Sequence, residues 1–221
     1  TLVTNGYFLL EHMDTLKYLN RINVSLHTTR KDDYENIVQR KNVLDKVLYG
    51  LKVASEIFPS LKIRLNATPT RSNNWSRELL KEFIEYATKI NASIKFTELF
   101  PNTDNDCVPI DEMKAEIQNL GYKEQPSYGR TTKFEKDIPI YLTQCTCSKA
   151  ILTSDPLEYC RNNHDLYVNH TGQIMLCRLA EDSMDVLEDI REKNFEVLEM
   201  KIQIAKRRIS RSKCYRILGI L

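Results

Sequence analysis

Two sets of residues in this 221-residue chain have types and spacings that could do chemistry, and the first is a group of cysteines. Cys145 and Cys147 form a Cys-x-Cys pair, and Cys160, Cys177 and Cys214 follow after twelve, sixteen and thirty-six intervening residues. Thiolates gathered in this way hold zinc or an iron–sulfur cluster, or pair as disulfides. The rest of the sequence reads as a cytoplasmic α/β enzyme, which places disulfides last. Spacing alone does not separate zinc from iron–sulfur. Cys107 stands apart in a polar stretch and reads as a free thiol.

The second set lies on short runs of alternating character. Arg64, Asn66 and Thr68 interleave with Ile63, Leu65 and Ala67, and Asn23, Ser25 and His27 interleave with Val24 and Leu26. Successive side chains on a strand point to opposite faces, so each run has one apolar face and one polar face. A parallel sheet covered on both sides gives near-continuous apolar strands instead. The pattern predicts a curved or barrel-like sheet with a solvated, ligand-bearing side, the alternative being a sheet with helices on one side and solvent on the other. Ligands of parallel α/β sheets sit at the carboxyl ends of the strands, where Thr4-Asn5, Ser25 to His27, Asn66 to Thr68 and Glu98 to Phe100 fall. The sequence contains no Gly-x-Gly-x-x-Gly and no phosphate loop. No Ser/His/Asp or Cys/His nucleophile grouping is apparent, and four histidines (His12, His27, His164, His170) do not make a histidine-rich metal site.

The elements that must position these residues alternate over the first hundred positions. Strands are expected at 2–4, 22–27, 63–68 and 94–100, with helical patterns over 8–19, 33–58 and 75–90. Strand, helix, strand, helix is the signature of βαβ units. Beyond residue 102 the texture changes. A short helix over 110–120, a polar loop over 124–136, a strand over 138–142, a hairpin over 166–176 and a long charged helix over 184–208 are expected. The domain boundary is placed near 102, giving residues 1–101 and 102–221. Balanced charge, 32 basic against 30 acidic side chains, argues against a tight polyanion binder, and no apolar run approaches the ~18 residues of a membrane span. Nucleic acid and membrane are therefore not expected as partners. The basic end of the last helix follows an acidic start, as a solvated helix complementing its own dipole would.

Five stretches come in one register: Thr4-Asn5-Gly6-Tyr7, Val24-Ser25-Leu26, Ile37-Val38-Gln39-Arg40, Arg64-Leu65-Asn66 through Asn74, and Phe96 to Pro101. Together they closely resemble the radical S-adenosylmethionine enzymes, specifically those like the GTP 3′,8-cyclase of molybdenum-cofactor biosynthesis. The resemblance is strong over 1–101 and weaker through Gly129-Arg130, Asp165 to Cys177 and Val186 to Arg208. It implies an α/β fold: part of a (β/α)6 TIM-like barrel followed by a smaller α+β auxiliary cluster domain. It implies S-adenosylmethionine across the strand ends, at Thr4, Asn5, Ser25, Asn66 and Phe100, and an anionic substrate at Arg64 and Arg71. It also implies an auxiliary [4Fe-4S] cluster on Cys145 or Cys147, Cys160 and Cys177. A flavodoxin- or ferredoxin-type reductant is implied as a partner, and a homodimer is compatible with it.

The departures bear on function. The family's Cys-x3-Cys-x2-Cys loop, which holds the [4Fe-4S] cluster that cleaves S-adenosylmethionine to a 5′-deoxyadenosyl radical, is not in this chain. Thr1 falls where the third family strand begins, so the expectation is a carboxyl-terminal portion of a longer enzyme, inactive alone, with the second cluster on the preceding part. Asp165 and Tyr167 stand where guanine-reading arginines are expected. Three readings result: hydrogen abstraction from an anionic nucleotide-like or peptide substrate, the GTP 3′,8-cyclase itself, or a non-catalytic zinc-stapled binding module.

Overall fold

The structure, a computed structural model, describes residues 1–99, 106–127, 129–151, 153–155, 158–159, 167–175 and 183–209. The chain divides into two compact units, Thr1–Cys145 and Thr146–Leu221.

The first unit is built on a seven-stranded sheet. Strands β1 (Leu2–Thr4), β2 (Arg21–Ser25), β3 (Lys62–Ala67) and β4 (Ser93–Thr97) run in order, and β7 (Ile140–Thr143), β6 (Thr131–Glu135) and β5 (Lys123–Glu124) complete the row. Pairing is parallel from β1 through β7 and antiparallel for the last two pairs. The α/β class with a parallel-rich sheet is therefore as expected.

The alternation in sequence becomes a sorting of faces. Register places Val24, Leu65, Ile94, Ile140 and Phe134 in one apolar row across five strands. All five are completely buried. They share one hydrophobic core with Val47, Leu51 and Ala54 of α2 (Leu44–Ile57), Leu80, Phe83 and Ala87 of α3 (Arg77–Lys89), and Met113 and Ile117 of α4 (Ile110–Asn119). The helical spacing of these residues gives each helix one apolar stripe that matches the apolar side of the sheet.

Several expected elements differ. The helix expected over 33–58 is two, α1 (Lys31–Val38) and α2, because Gln39 and Asn42 take left-handed backbone with φ of 55° and 58°. The Asn42 N–H donates to Glu35 Oε1 at 2.8 Å, which fixes the break. The pattern over 8–19 yields turns and a 3-10 helix, Met13–Tyr18. The stretch read as a polar loop contains β6, because Thr132 and Phe134 alternate into the core between polar neighbours. Since β5, β6 and β7 join the same sheet, the first unit runs on past residue 102.

The second unit has α5 (Thr146–Ile151) and a three-stranded antiparallel sheet, β8 (Tyr167–Val168), β9 (Gln173–Met175) and β10 (Met184–Asp185), in the order β10-β9-β8. The expected hairpin is present as β8–β9, its turn held by Asn169 Oδ1, which accepts from Thr171 N–H at 3.0 Å and Gln173 N–H at 2.9 Å. The charged helix is interrupted: α6 (Leu187–Arg191) stops before Lys193, whose φ is 57°, and α7 (Phe195–Ile209) follows.

Candidate functional site

The polar side of the first unit's sheet gathers the candidate residues. Three rows cross the strands. The lower row is Asn23, Arg64 and Ser93. The middle row is Ser25, Asn66, Lys95, Tyr141 and Lys133. At the rim, Thr97, Thr143 and Thr131 are in register, and the Thr131 and Thr143 hydroxyls lie 2.9 Å apart.

Three atoms on this face are buried without a hydrogen-bond partner among the described residues: Asn23 Oδ1, Arg64 Nε and Asn66 Oδ1. A buried polar atom left unpaired costs on the order of 1–3 kcal/mol, and native folds hold few of them. Three on adjacent strands, on one face, mark a place where a polar ligand can supply the partners. Among the described residues no carboxylate pairs with Arg64; its guanidinium lies over the Tyr141 ring, 4.5 Å from the centroid. Burial, and then the Arg21 charge, lower its pKa from the ordinary arginine value. A half-buried cation held by an aromatic face is suited to an anion.

The other residues expected at the site are placed as follows. Thr4 Oγ1 accepts the Gly6 N–H and Asn5 Oδ1 the Tyr7 N–H, both at 3.1 Å, so these side chains shape the turn after β1. That turn needs glycine, since Gly6 has φ +78° and a Cβ there would come within 2.9 Å of Val24 Cγ1. Ser25 and Asn66 are register partners. Arg71 is committed to Glu112 through two bonds, of 3.2 and 2.6 Å, and is exposed. Phe100, Cys160 and Cys177 lie outside the described residues. Cys145 is half-buried and Cys147 buried in the first turn of α5. Among the described residues no three His, Cys, Asp or Glu side chains gather to hold a metal ion.

Asn23, on the polar face by simple alternation, is joined there by residues that the sequence pattern does not single out as candidates. Tyr141 and Lys133 enter it only through β6 and β7. Glu98, on the apolar side and 7% exposed, is an anchor: Oε1 accepts the Ile110 N–H at 3.2 Å and Oε2 the Cys145 N–H at 3.0 Å. Its carboxylate thus ties the start of α4 and the end of the first unit to the carboxyl end of β4.

For S-adenosylmethionine the residues fit. Amide and hydroxyl groups with unused capacity line the carboxyl ends of β2 and β3, as ribose and amino-acid groups require. Of the four cysteines expected to hold an auxiliary cluster, the described residues include Cys145 and Cys147, and no step is assigned to one.

No protein-family model matches the chain. It is 29% identical to the probable GTP 3′,8-cyclase of Pyrobaculum aerophilum, over 97% of this chain and 71% of that protein. It is 26% identical to the GTP 3′,8-cyclase of Aliarcobacter butzleri, over 96% of this chain and 65% of that one. The Synechocystis GTP 3′,8-cyclase is 28% identical over 90% of this chain and 58% of its own length. The chain thus spans between 58% and 71% of the length of these three enzymes. Among solved structures, Streptococcus suis SuiB bound to S-adenosylmethionine superposes with a TM-score of 0.54 at 13% identity, over 85% of this chain and 46% of SuiB. A second crystal structure of Streptococcus suis SuiB superposes with a TM-score of 0.55 at 12% identity. That likeness is one of fold. No described helix is long and apolar enough to cross a membrane. Over most of its length, then, this chain resembles the radical S-adenosylmethionine enzymes, with the GTP 3′,8-cyclases among its relatives in sequence.

Proposed function

We propose that this chain forms part of a radical S-adenosylmethionine enzyme, holding the cofactor across the carboxyl ends of β1 to β3 and an anionic, nucleotide-like substrate against Arg64. The observation that carries the reading is the set of buried, unpartnered atoms Asn23 Oδ1, Arg64 Nε and Asn66 Oδ1 on one face of adjacent strands. When bound in an intact enzyme of this kind, S-adenosylmethionine supplies the radical that removes hydrogen from a substrate. The chain's own residues bind and orient. Thr4 and Asn5 shape the turn beside the first strand end; Ser25 and Asn66 offer a hydroxyl and an amide side by side. Arg64, stacked on Tyr141, presents a fixed guanidinium to phosphate or carboxylate. Arg71, already paired with Glu112, is the weaker candidate for the substrate anion.

Binding tests this reading directly. S-adenosylmethionine added to the 15N-labelled chain should shift the Ser25 and Asn66 amides, and Asn66→Ala should weaken binding about tenfold, one hydrogen-bonding side chain's worth. Unchanged spectra at millimolar ligand would overturn it.

The GTP 3′,8-cyclase reading is favoured by the names of the sequence relatives. Competition between GTP and ATP separates the two. Preference for GTP of tenfold or more supports the cyclase, despite Tyr167 and Asp165 at the expected guanine-reading positions; equal binding supports a different anionic substrate.

A further inference from the structure

His27 extends the polar side of β2 one step beyond Ser25. Along 23–28, Asn23, Ser25 and His27 are half-buried, whereas Val24, Leu26 and Thr28 are buried, so the strand's alternation continues past its last ladder residue. Across from His27 lies Thr68, whose backbone N–H donates to His27 Nδ1 at 3.3 Å. An imidazole nitrogen that accepts a hydrogen bond carries no proton, so the ring is neutral and its proton sits on Nε2. Burial acts in the same direction, lowering the His27 pKa from its ordinary value. Nε2–H makes no hydrogen bond with any described residue.

The backbone beneath the ring is fixed on both sides. Leu26 N–H donates to Asn66 O at 3.0 Å. Asn74 Nδ2 donates to His27 O at 3.0 Å and to Thr68 O at 3.1 Å, while Asn74 Oδ1 accepts the Thr70 N–H at 2.7 Å. One buried amide thereby clamps the carboxyl ends of β2 and β3 together and holds the histidine in place. A neutral ring of defined tautomer, with an unused donor at the rim of a ligand-bearing face, is preorganised for an acceptor that the protein itself does not provide.

We propose that His27 Nε2–H is a ligand-binding donor of this site, giving a hydrogen bond to an oxygen acceptor of S-adenosylmethionine bound beside Ser25 and Asn66. The assignment rests on the cofactor reading given above. It adds a residue that selects for an oxygen acceptor at the rim and contributes no charge there.

The experiment uses the full chain and S-adenosylmethionine itself. Long-range 1H–15N spectra at pH 7.5 should show His27 protonated at Nε2 only, and the Nε2 resonance should move on titration with the ligand. His27→Ala should bind about three- to tenfold more weakly, as loss of one neutral hydrogen bond implies. His27→Asn keeps an acceptor for the Thr68 N–H, while its remaining amide N–H donors stop short of the Nε2 position at the rim. It should melt close to wild type and still bind more weakly. Wild-type binding by both variants, a proton on Nδ1, or an Nε2 resonance indifferent to ligand would each overturn this assignment while leaving the cofactor reading standing. Failure of the wild-type chain to bind S-adenosylmethionine at all overturns both.

Discussion

Arg64 has an aromatic ring over its guanidinium, a second arginine near it and no described carboxylate paired with it. In the ligand-free chain such a cation is a burden, because desolvation is not offset by an ion pair. Arg64→Met should therefore leave the melting temperature unchanged or raise it by a few degrees, while binding of a nucleoside triphosphate falls at least tenfold. Thermal melts beside a titration check both halves; a large loss of stability would mean a purely structural arginine. His27 gives a second expectation, for pH. Burial lowers its folded-state pKa below the ordinary 6.5. The unfolded chain thus binds the proton more tightly, and stability, complete above 6.5, is progressively lost as pH falls below it. Melting temperatures at pH 7.5 and 5.5 should differ more for wild type than for His27→Asn.

At the scale of elements, the turn after β1 and the break between α1 and α2 are the points where backbone conformation decides the outcome. Gly6→Ala forces a left-handed Cβ against Val24 and Val47 and should cost about 1–3 kcal/mol, visible as a lower denaturant midpoint. Gln39→Gly relieves a left-handed helix end and should gain about 0.5–1 kcal/mol in the same assay. The break between the helices is not legible in sequence, because the apolar spacing of 33–58 passes through it and no glycine or proline marks the spot. The strands are legible wherever both faces are strongly typed, as in 22–26 and 63–67. Over 131–135 only Thr132 and Phe134 face the core, and short polar neighbours conceal the alternation. Candidate site residues follow the same division. Ser25, Arg64 and Asn66 emerge from alternation and resemblance, whereas Tyr141 and Lys133 depend on strand pairings that no local pattern announces.

For the molecule as a whole, the sheet sets the limits of the first unit. β4 is paired on one side by β3 and on the other by β7, so residues 1–101 alone would leave the backbone N–H and C=O groups of β4 unpaired along an open edge. Residues 1–145 should fold cooperatively and residues 1–101 should not, as circular dichroism melts of the two pieces will show. The net charge of +2 implies little long-range steering of an anion, so its association rate should change by less than about tenfold between low and high salt.

The division of one sheet into a helix-facing side and a ligand-facing side has a consequence for how such a protein can change. Val24, Leu65 and Ile94 hold the fold, and Asn23, Arg64 and Ser93, their immediate neighbours along the same strands, do not. Mutations can therefore walk the ligand-facing set through new chemistries while the other set stays under purifying selection. Specificity is free to drift on a scaffold that is not.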